Sequence, residues 1–377
     1  MTCRRVLFIF PFPSLGGGGG AQRVPSTLLR HLDPQRYEFH LALLQVKRGE
    51  GDDIPPGVAV HSLEYSRVRY GLLGLVRLIY KVKPDVVFSN ICHMNLALLL
   101  VRPLFPRSTR VLVGESTTLS AYLRQATRRP KTWSALYRWL YKRADKITCL
   151  SDAIKNDLAT QFAVPLEKLI RIYNPMDWEM VRAASQLGGN PFAGEGPHLV
   201  AAGRFVREKG IDLLLDAMPG VLTHFPQARL TLLGDGPLEE ELKQQAQRLG
   251  VGESVNFAGL QQNPWRYFRH ANLVVVPSRL DGLPYVAVEA LAVGTPIIAT
   301  DCPGGIRELT DKSKWIVLVA PENPKALAEG IVARLKEPKS NLEPSVQLSK
   351  FDLQEAVNEY DRLFGGSLSN VQQPASQ

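Results

Sequence analysis

The stretch Ser278–Ala290, which reads SRLDGLPYVAVEA, carries two carboxylates, Asp281 and Glu289, with seven residues between them. The apolar run Leu273–Val276 precedes it. A short apolar strand that ends in a polar loop and continues into a helix is typical of one β-turn-α unit in a parallel sheet. Ligands of open α/β sheets bind at the carboxyl ends of such strands. Carboxylates at that edge can accept hydrogen bonds from the hydroxyls of a ribose or a sugar. A solvated loop Asp and a helix-surface Glu fit the pair alone equally well.

A second strand-to-loop segment carries two cations. The strand-like run 198–203 leads into Arg204 and Lys209, and a helix is predicted from Ile211 to Met218. The planar guanidinium and the compact ammonium suit a pyrophosphate. The nearby helix N-terminus adds unpaired N–H groups and the positive end of a dipole. Two ordinary surface cations are the alternative, but they do not explain why a cation pair and a carboxylate pair lie on two βα loops of the same half of the chain.

Further short motifs follow one another through this half of the chain. They are Gly203-Arg204, Lys209-Gly210, Gly234-Asp235-Gly236-Pro237, Pro277-Ser278, Asp281-x7-Glu289, Gly294-Thr295-Pro296 and Asp301-Cys302-Pro303-Gly304-Gly305 with Glu308. In this order the sequence resembles the family 4 glycosyltransferases of the GT-B fold. The N-terminal half is similar to the same family at Gly19–Arg23 and at Asn174–Asp177. The resemblance extends from about residue 5 to about residue 365.

The resemblance implies an α/β fold of the GT-B type, in which two Rossmann-like parallel-sheet domains face a central cleft. Residues 1–175 are expected to form an N-terminal acceptor-binding domain, and residues 198–345 a domain that binds a nucleotide-sugar. An interdomain linker rich in glycine and proline is expected at 176–197. A C-terminal helix at 346–366 is expected to cross back onto the first domain, and a disordered tail at 367–377 follows it.

Roles for individual residues follow from the resemblance and from the positions of the residues in the predicted strands and loops. Those expected to bind the nucleotide-sugar are Gly19, Gly20, Gly203, Arg204, Lys209, Gly234, Gly282, Leu283, Pro284, Tyr285 and Glu289. Those expected to act in catalysis are Asp281, Arg204, Lys209, Glu115, Asn90 and His93.

Two of these residues depart from the family pattern. Asp281 stands where the family usually has Glu, so its carboxylate has one methylene less of reach. Asn90 stands where many relatives have a histidine, and His93 lies one turn later. His93 is interpreted either as a replacement for that histidine or as a residue at the start of a helix with no catalytic role. Glu115, at the end of another predicted strand, is a candidate polar residue of the acceptor site.

Five consecutive glycines, Gly16–Gly20, separate the first predicted strand, Val6–Phe10, from the first predicted helix, Val24–Leu32. Glycine lets a backbone approach a ligand closely and leaves N–H groups available to bind anions. We interpret this segment as a mobile loop that closes over the donor phosphate and the acceptor. A plain flexible linker is the alternative.

Composition restricts the class of protein. With 377 residues, of which 45% are hydrophobic, the chain is long enough for two domains with proper cores and is not a disordered protein. Its four cysteines are dispersed without a C-x-x-C pattern, which favours a reducing compartment over a zinc site or a disulfide framework. The apolar start of the chain fits a first strand better than a signal peptide, and no run approaches the 18 or so apolar residues of a membrane-spanning helix. The sequence therefore predicts a cytoplasmic protein.

Positive charge is concentrated in the N-terminal half. Residues 1–180 carry 26 Lys and Arg against 14 Asp and Glu, a net charge of +12, whereas the remaining residues have a net charge of −3. The excess is densest at Thr127–Arg143, where apolar residues at helical spacing alternate with cations; these are Trp133, Leu136, Tyr137, Leu140, Arg138, Lys142 and Arg143. This pattern predicts an amphipathic helix that contacts an anionic membrane, or else packs on the sheet with a solvated basic face. No nucleic-acid-binding signature accompanies the charge, so no nucleic-acid partner is expected.

The sequence thus favours a retaining glycosyltransferase at the cytoplasmic side of a membrane. It is expected to move a hexose or N-acetylhexosamine from a nucleotide-sugar, preferably a UDP-sugar, to a lipid-linked saccharide, an oligosaccharide or a surface polysaccharide. Retention is implied by the resemblance. The chain has no D-x-D triplet, so neither a metal nor a cofactor is expected, and Arg204 and Lys209 are expected to neutralise the leaving diphosphate. Two alternatives stay open: a nucleotide-sugar epimerase on the same architecture, and a non-catalytic GT-B subunit that binds the nucleotide-sugar.

Overall fold

The chain folds into two compact units, which we name unit 1 and unit 2. A computed structural model describes residues 3–10, 20–43, 54–63, 71–310, 315–337 and 348–366, without the side chains of residues 20–23. Unit 1 comprises Met1–Met176 and Lys350–Gln377, and unit 2 comprises Asp177–Ser349. The predicted disordered tail, 367–377, lies outside the described residues.

Strands and helices alternate along most of both units. Unit 1 contains β1 (Arg4–Phe10), α1 (Gly20–His31), β2 (Tyr37–Leu43), β3 (Ala59–Ser62), α2 (Leu72–Val82), β4 (Val86–Ser89), α3 (Cys92–Val101), β5 (Arg110–Glu115), α4 (Leu119–Ala126), α5 (Pro130–Tyr141), β6 (Lys146–Cys149), α6 (Asp152–Phe162) and β7 (Leu169–Arg171). Unit 2 contains α7 (Trp178–Ser185), β8 (His198–Ala202), α8 (Ile211–His224), β9 (Arg229–Leu233), α9 (Glu239–Arg248), β10 (Val255–Gly259), α10 (Trp265–His270), β11 (Leu273–Val276), α11 (Tyr285–Ala292), β12 (Ile297–Thr300), β13 (Ile316–Val319) and α12 (Pro324–Lys336). The chain then returns to unit 1 with α13 (Leu353–Gly365).

Each unit is built on one parallel sheet. In the described part of the chain, the strand order is β3-β2-β1-β4-β5-β6-β7 in unit 1 and β10-β9-β8-β11-β12-β13 in unit 2. Each order changes direction at one place, between β1 and β4 in unit 1 and between β8 and β11 in unit 2. Such a switch point opens a crevice for a ligand beyond the carboxyl ends of the two strands. The predicted α/β class with two parallel-sheet domains is confirmed.

The strands are buried on both faces, which explains their nearly continuous apolar sequences. In β1 the residues Val6–Phe10 are at most 1% exposed, and β11 is buried over its whole length. Between β8 and β11, the described register pairs Leu199 with Leu273 and Val200 with Val274, although both strands continue further. The carboxyl ends of these two strands therefore separate just where the sheet of unit 2 changes direction.

The last helix, α13, completes the core of unit 1. The ring of Phe364 makes edge contacts with Phe8 and Phe88, at centroid distances of 6.0 and 5.8 Å. Arg4 and Arg110 donate hydrogen bonds to the carbonyls of the final turn of the helix, at 3.0 Å each. Since cations favour the C-terminal end of a helix dipole, these bonds fix the helix end as well as its position.

Some elements differ from the predicted ones. Helix α1 starts at Gly20, within the glycine run, and not at Val24. The predicted linker 176–197 contains α7, which packs in unit 2 because Arg182 and Ala184 form hydrogen bonds with Ala292 and Asn263. Within the described residues, no helix is both long enough and apolar enough to cross a bilayer.

The predicted basic helix is shorter than the segment Thr127–Arg143. Helix α5 begins at Pro130, the position in a helix where proline is best tolerated. Its buried side chains are Tyr137, Leu140 and Tyr141, whereas Trp133, predicted on the apolar stripe, is 42% exposed. Trp133 shares a helix face with Tyr137 and Leu140, but it lies in the first turn of α5, where this face is only partly covered.

Candidate functional site

The two loops at the switch point of unit 2 are joined by an ion pair. Lys209 ends a short 3-10 turn after β8, and Asp281 lies in the loop between β11 and α11. The Lys209 Nζ atom lies 2.6 Å from Asp281 Oδ2, and the Ser278 hydroxyl also donates to this oxygen at 3.3 Å. The cation and the carboxylate that the sequence placed on separate loops therefore meet at the crevice.

Arg204 is a second cation on the β8 loop. Its side chain is exposed and, within the described residues, forms no hydrogen bond or ion pair. Lys209 is about one-third exposed and is partly neutralised by Asp281. An anion that enters the crevice would therefore meet, at Arg204, a guanidinium without a bonded partner among the described residues and, at Lys209, an ammonium already paired with Asp281.

Two glycines let the neighbouring loops approach this ion pair. Gly304 has φ of +137°, and a Cβ atom there would lie 1.6 Å from the carbonyl oxygen of Asp281. Gly234 has φ of +132°, and a Cβ atom there would lie 2.1 Å from the carbonyl oxygen of Gly203. Any other residue would push the loops apart, since both the backbone angle and the space exclude a side chain. These contacts give a packing reason for glycine in two of the motifs found in the sequence.

Helix α11 begins directly behind the loop of Asp281. Gly282, Leu283 and Pro284 are buried, and Tyr285 is the first residue of the helix. The N-terminal end of the helix is thus close to the Asp281 loop in the chain, where its free N–H groups favour an anion. Glu289 lies one turn further on and is only 4% exposed, so the alternative of a helix-surface Glu does not hold.

A residue that the sequence analysis missed, Arg279, ties the two loops together. Its guanidinium donates to both carboxylate oxygens of Asp212 at 2.6 and 2.7 Å, and to those of Glu322 at 2.9 and 3.0 Å. It also donates to the carbonyl of Arg207 at 2.9 Å, and its backbone N–H donates to the carbonyl of Glu208 at 2.8 Å. The side chain is only 6% exposed. The bond to Asp212 is the largest cause that raises the pKa of Arg279 above its ordinary value.

The position of Arg279 gives it a structural role in the site. It precedes Asp281 by two residues, and its partners at Arg207, Glu208 and Asp212 surround Lys209 in the chain. The only signal in the sequence is an arginine between an apolar strand and a glycine turn, because both acidic partners are far away in the chain. We infer that Arg279 sets the relative position of Lys209 and Asp281.

We predict that Arg279→Lys weakens the binding of a nucleoside diphosphate about tenfold, a loss comparable to one charge-assisted hydrogen bond. The variant keeps the charge but loses the paired bonds to Asp212. Isothermal calorimetry measures the affinity, and denaturation followed by circular dichroism measures stability. Arg334→Lys is the control, because Arg334 is also buried in unit 2 but pairs with Glu337 instead. Equal affinities of Arg279→Lys and the unmodified protein would contradict the role.

The candidate residues of unit 1 lie at the carboxyl ends of β4 and β5. Asn90 follows β4, and Glu115 ends β5. They line a small cavity of about 20 Å³ together with Gly114, Ser116 and Thr148. This volume is close to the space of one water molecule. His93, the second residue of α3, is exposed and is not part of the cavity lining.

The carboxylate of Glu115 is buried in unit 1 and bonds to side chains of neighbouring helices. It accepts hydrogen bonds from the Tyr141 hydroxyl and from Asn95 Nδ2, the latter at 3.0 Å, and its residue is 3% exposed. Burial raises the pKa of Glu115 to about 7, and the two hydrogen bonds partly oppose this effect. In this arrangement the carboxylate links β5 to α3 and α5, and is not presented to solvent.

This burial predicts a pH-dependent stability. Because the folded-state pKa of Glu115 is raised, folded protein retains a proton that the unfolded chain has already released above pH 4.5 or so. The contribution of Glu115 to the free energy of unfolding is therefore favourable at low pH and is lost as the pH rises through about 7. Glu115→Gln cannot titrate, so its stability relative to the unmodified protein should increase by a few kcal/mol from about pH 5 to pH 8. Urea denaturation at several pH values measures this. The exposed Glu167→Gln variant is the control; a constant difference for Glu115→Gln would refute the raised pKa.

Two further expected residues precede or start α1. Gly19 lies outside the described residues, and Gly20 is the first residue of the helix.

Among the residues that the structure describes, no group of three or more His, Cys, Asp or Glu side chains is arranged to hold a metal ion.

Comparison with known proteins identifies two family models in the chain. The model described as Glycosyltransferase Family 4 matches residues 18–179, and the model described as Glycosyl transferases group 1 matches residues 186–348. Among curated proteins, the chain is 28% identical to N-acetylgalactosamine-N,N'-diacetylbacillosaminyl-diphospho-undecaprenol 4-alpha-N-acetylgalactosaminyltransferase of Campylobacter jejuni, over 86% of this chain and 88% of that protein. It is 24% identical to the amylovoran biosynthesis glycosyltransferase AmsD of Erwinia amylovora, over 80% and 83%.

Solved structures share the fold. Sucrose-phosphate synthase from Thermosynechococcus elongatus superposes with a TM-score of 0.82 at 19% identity, covering 97% of this chain and 99% of that one. Anabaena Alr3699/HepE, solved in complex with UDP and glucose, superposes with a TM-score of 0.73 at 18% identity, covering 96% and 100%.

Proposed function

The chain belongs to the family 4 glycosyltransferases of the GT-B fold and is an enzyme of the hexosyltransferase type, and from this premise we propose its donor, acceptor and mechanism. It moves a hexose or N-acetylhexosamine from a nucleotide-sugar, preferably a UDP-sugar, to a lipid-linked saccharide or a growing surface polysaccharide. Transfer proceeds with retention of the anomeric configuration and without a metal ion.

The ion pair between Lys209 and Asp281 at the switch point of unit 2 carries this proposal. A switch point is where an open parallel sheet binds a nucleotide. Here Lys209 and the exposed Arg204 supply positive charge for the diphosphate, and Asp281 supplies an acceptor for a sugar hydroxyl. When the diphosphate binds, Lys209 can bond to it as well as to Asp281, because an ammonium has three N–H donors.

Charge on the leaving group is neutralised by the protein in this mechanism. The bond between the anomeric carbon and the phosphate oxygen breaks, and negative charge develops on the diphosphate. Arg204 and Lys209, positioned before the reaction, stabilise that charge. The acceptor hydroxyl attacks the same face of the sugar and gives its proton to the leaving phosphate oxygen. The name of the Campylobacter jejuni relative specifies an alpha linkage, which is retention when the donor is an alpha-linked nucleotide-sugar.

The acceptor is proposed to bind in unit 1, near Asn90 and the cavity at the ends of β4 and β5. The name of the Campylobacter jejuni relative specifies a saccharide on diphospho-undecaprenol, and the name of AmsD specifies the biosynthesis of amylovoran. An acceptor on a membrane lipid fits a protein that acts at the cytoplasmic face of a membrane. The UDP bound in the HepE structure supports a UDP-sugar as the donor.

Transfer is tested by incubating the protein with a panel of UDP-, GDP- and ADP-sugars and a diphospho-polyprenol-linked saccharide. We expect mass spectrometry to show one added hexose or N-acetylhexosamine on the acceptor and release of the nucleoside diphosphate. EDTA should leave the rate unchanged. Loss of transfer in EDTA that magnesium or manganese restores would exclude the metal-free mechanism. Conversion of the sugar nucleotide without any acceptor would instead identify an epimerase.

Calorimetry with UDP separates the roles of three charged residues. Glu289→Ala should weaken UDP binding by about 1.5–3 kcal/mol because we assign its carboxylate to the ribose. Lys209→Ala should weaken binding by a similar amount. Asp281→Ala should not weaken it, because the change frees Lys209 from its partner at 2.6 Å, but turnover should fall.

The exposed Glu329→Ala variant is the matched control for carboxylate removal in unit 2. If Asp281→Ala binds UDP far more weakly and Glu289→Ala binds it normally, the two carboxylates have the opposite roles.

A further inference from the structure

Unit 1 exposes a group of large apolar side chains on one layer of helices. Helix α3 is a neighbour of both α2 and α5. Four large apolar side chains of these helices and one of the short 3-10 turn after α3 are 45–68% exposed. They are Leu73, Tyr80, Leu100 and Trp139 in the helices and Leu104 in the turn. Single exposed apolar residues are ordinary, but a contiguous group marks an interaction site.

Contacts link four of these residues, Tyr80 with Leu104 and Leu100 with Trp139 through Arg143. The Tyr80 hydroxyl on α2 donates to the carbonyl of Leu104 at 3.0 Å. Arg143 donates to the carbonyl of Leu100 at 3.3 Å, and its guanidinium lies 3.9 Å from the centre of the Trp139 ring. Leu104 follows Leu100 by four residues and ends the short 3-10 turn after α3. We name the face formed by Leu73, Tyr80, Leu100, Leu104 and Trp139 the α2–α5 surface.

Helix α2 presents its outer face to the same side. Leu73, Arg77 and Tyr80 are spaced by four and three residues, so they lie on one face of the helix, and all three are exposed. The opposite face of α2 is buried through Leu75, Leu78, Ile79 and Val82. Helix α2 therefore has one buried apolar face and one exposed face on which Leu73 and Tyr80 flank a cation.

The elements around the α2–α5 surface carry cations and almost no acids. Arg77, Lys81, Arg107 and Lys142 are exposed. In the sequence, Asp85 is the single acidic residue from Gly71 to Arg110, and none occurs from Ser116 to Ala144. Asp85 accepts a hydrogen bond from the backbone N–H of Arg5, at the start of β4. Arg102 in the turn after α3 pairs with Asp145 at 3.5 Å, so the surface combines apolar side chains with an excess of positive charge that is only partly neutralised.

The cations predicted from the sequence to reach a membrane are partly used within unit 1. Arg138 donates to the carbonyl of Gln161 at 2.9 Å, and Arg143 donates to the carbonyls of Leu99 and Leu100. Lys142 is exposed, and within the described residues its ammonium has no bonded partner. A contact with a membrane would therefore need cations of the neighbouring helices in addition to those of α5.

We propose that the α2–α5 surface docks on an anionic lipid bilayer, with its apolar side chains in the interfacial region and its cations at the lipid phosphates. This inference rests on the proposed lipid-linked acceptor, which such docking brings to the enzyme. A second copy of the chain is a poorer occupant. A two-fold contact through this face would bring Arg77, Lys81, Arg107 and Lys142 of two copies together without acids to neutralise them.

Co-sedimentation with vesicles tests the proposal. We expect binding to vesicles of equal parts phosphatidylglycerol and phosphatidylcholine, little binding to phosphatidylcholine alone, and weaker binding as salt shortens the Debye length below the roughly 10 Å found at 0.1 M. Leu73→Gln/Leu104→Gln should lower the partition coefficient by about tenfold, and Arg77→Gln/Lys142→Gln by about tenfold or more. All four side chains are exposed, so the fold should be kept.

Matched variants of unit 2 serve as controls. Leu187→Gln/Leu260→Gln removes two leucines of similar exposure, and Lys325→Gln/Lys336→Gln removes two exposed cations. Both should bind vesicles like the unmodified protein. Equal losses in the control and test pairs would overturn the proposal, as would a dimer in sedimentation equilibrium that Leu73→Gln/Leu104→Gln dissociates.

A separate measurement distinguishes this proposal from the proposed function. Calorimetry with UDP and transfer to a water-soluble acceptor analogue should be unchanged in Leu73→Gln/Leu104→Gln. Soluble transfer without vesicle binding would reject the docking surface and leave the glycosyltransferase assignment intact. Vesicle binding without transfer to any lipid-linked acceptor would support the surface and reject the acceptor.

Discussion

The site of unit 2 depends on two opposite charges that are held together where neighbouring strands of the sheet separate. Strands β8 and β11 separate at their carboxyl ends because the sheet changes direction between them. The Lys209–Asp281 ion pair spans the two loops that follow. Partly exposed ion pairs contribute little to stability by themselves. The value of this pair is that it holds in a defined position the cation proposed to bind the phosphate and the carboxylate proposed to bind the sugar.

That position is defined by the surroundings of the pair. Arg279 bonds to Asp212, Glu322 and the backbone of Arg207, and these bonds tie the loop of Asp281 to the loop of Lys209. Gly304 fits its backbone against the carbonyl of Asp281, where a side chain has no room. Rigid support of this kind reduces the reorganisation needed when charge develops on a leaving group.

The sequence predicted the fold well because buried parallel strands leave long apolar runs, such as Val6–Phe10, that need no knowledge of distant partners. It also placed Arg204, Lys209 and Asp281 on loops at strand ends. It did not identify Arg279, since the acids that surround this residue lie 67 and 43 positions away in the chain. For the same reason it treated Arg143 as a membrane contact, although that side chain bonds to the last carbonyls of α3. Local patterns show which residues are polar, and tertiary contacts decide whether they are available.

The return of α13 to unit 1 has a consequence for synthesis on the ribosome. Phe8 and Phe88 belong to the first strands that leave the exit tunnel, but their aromatic partner Phe364 follows all of unit 2 in the chain. Unit 2 can therefore close its core while unit 1 still has an uncovered apolar face. During that interval the newly made chain carries a binding site for its own C-terminal helix, and the same site is open to chaperones.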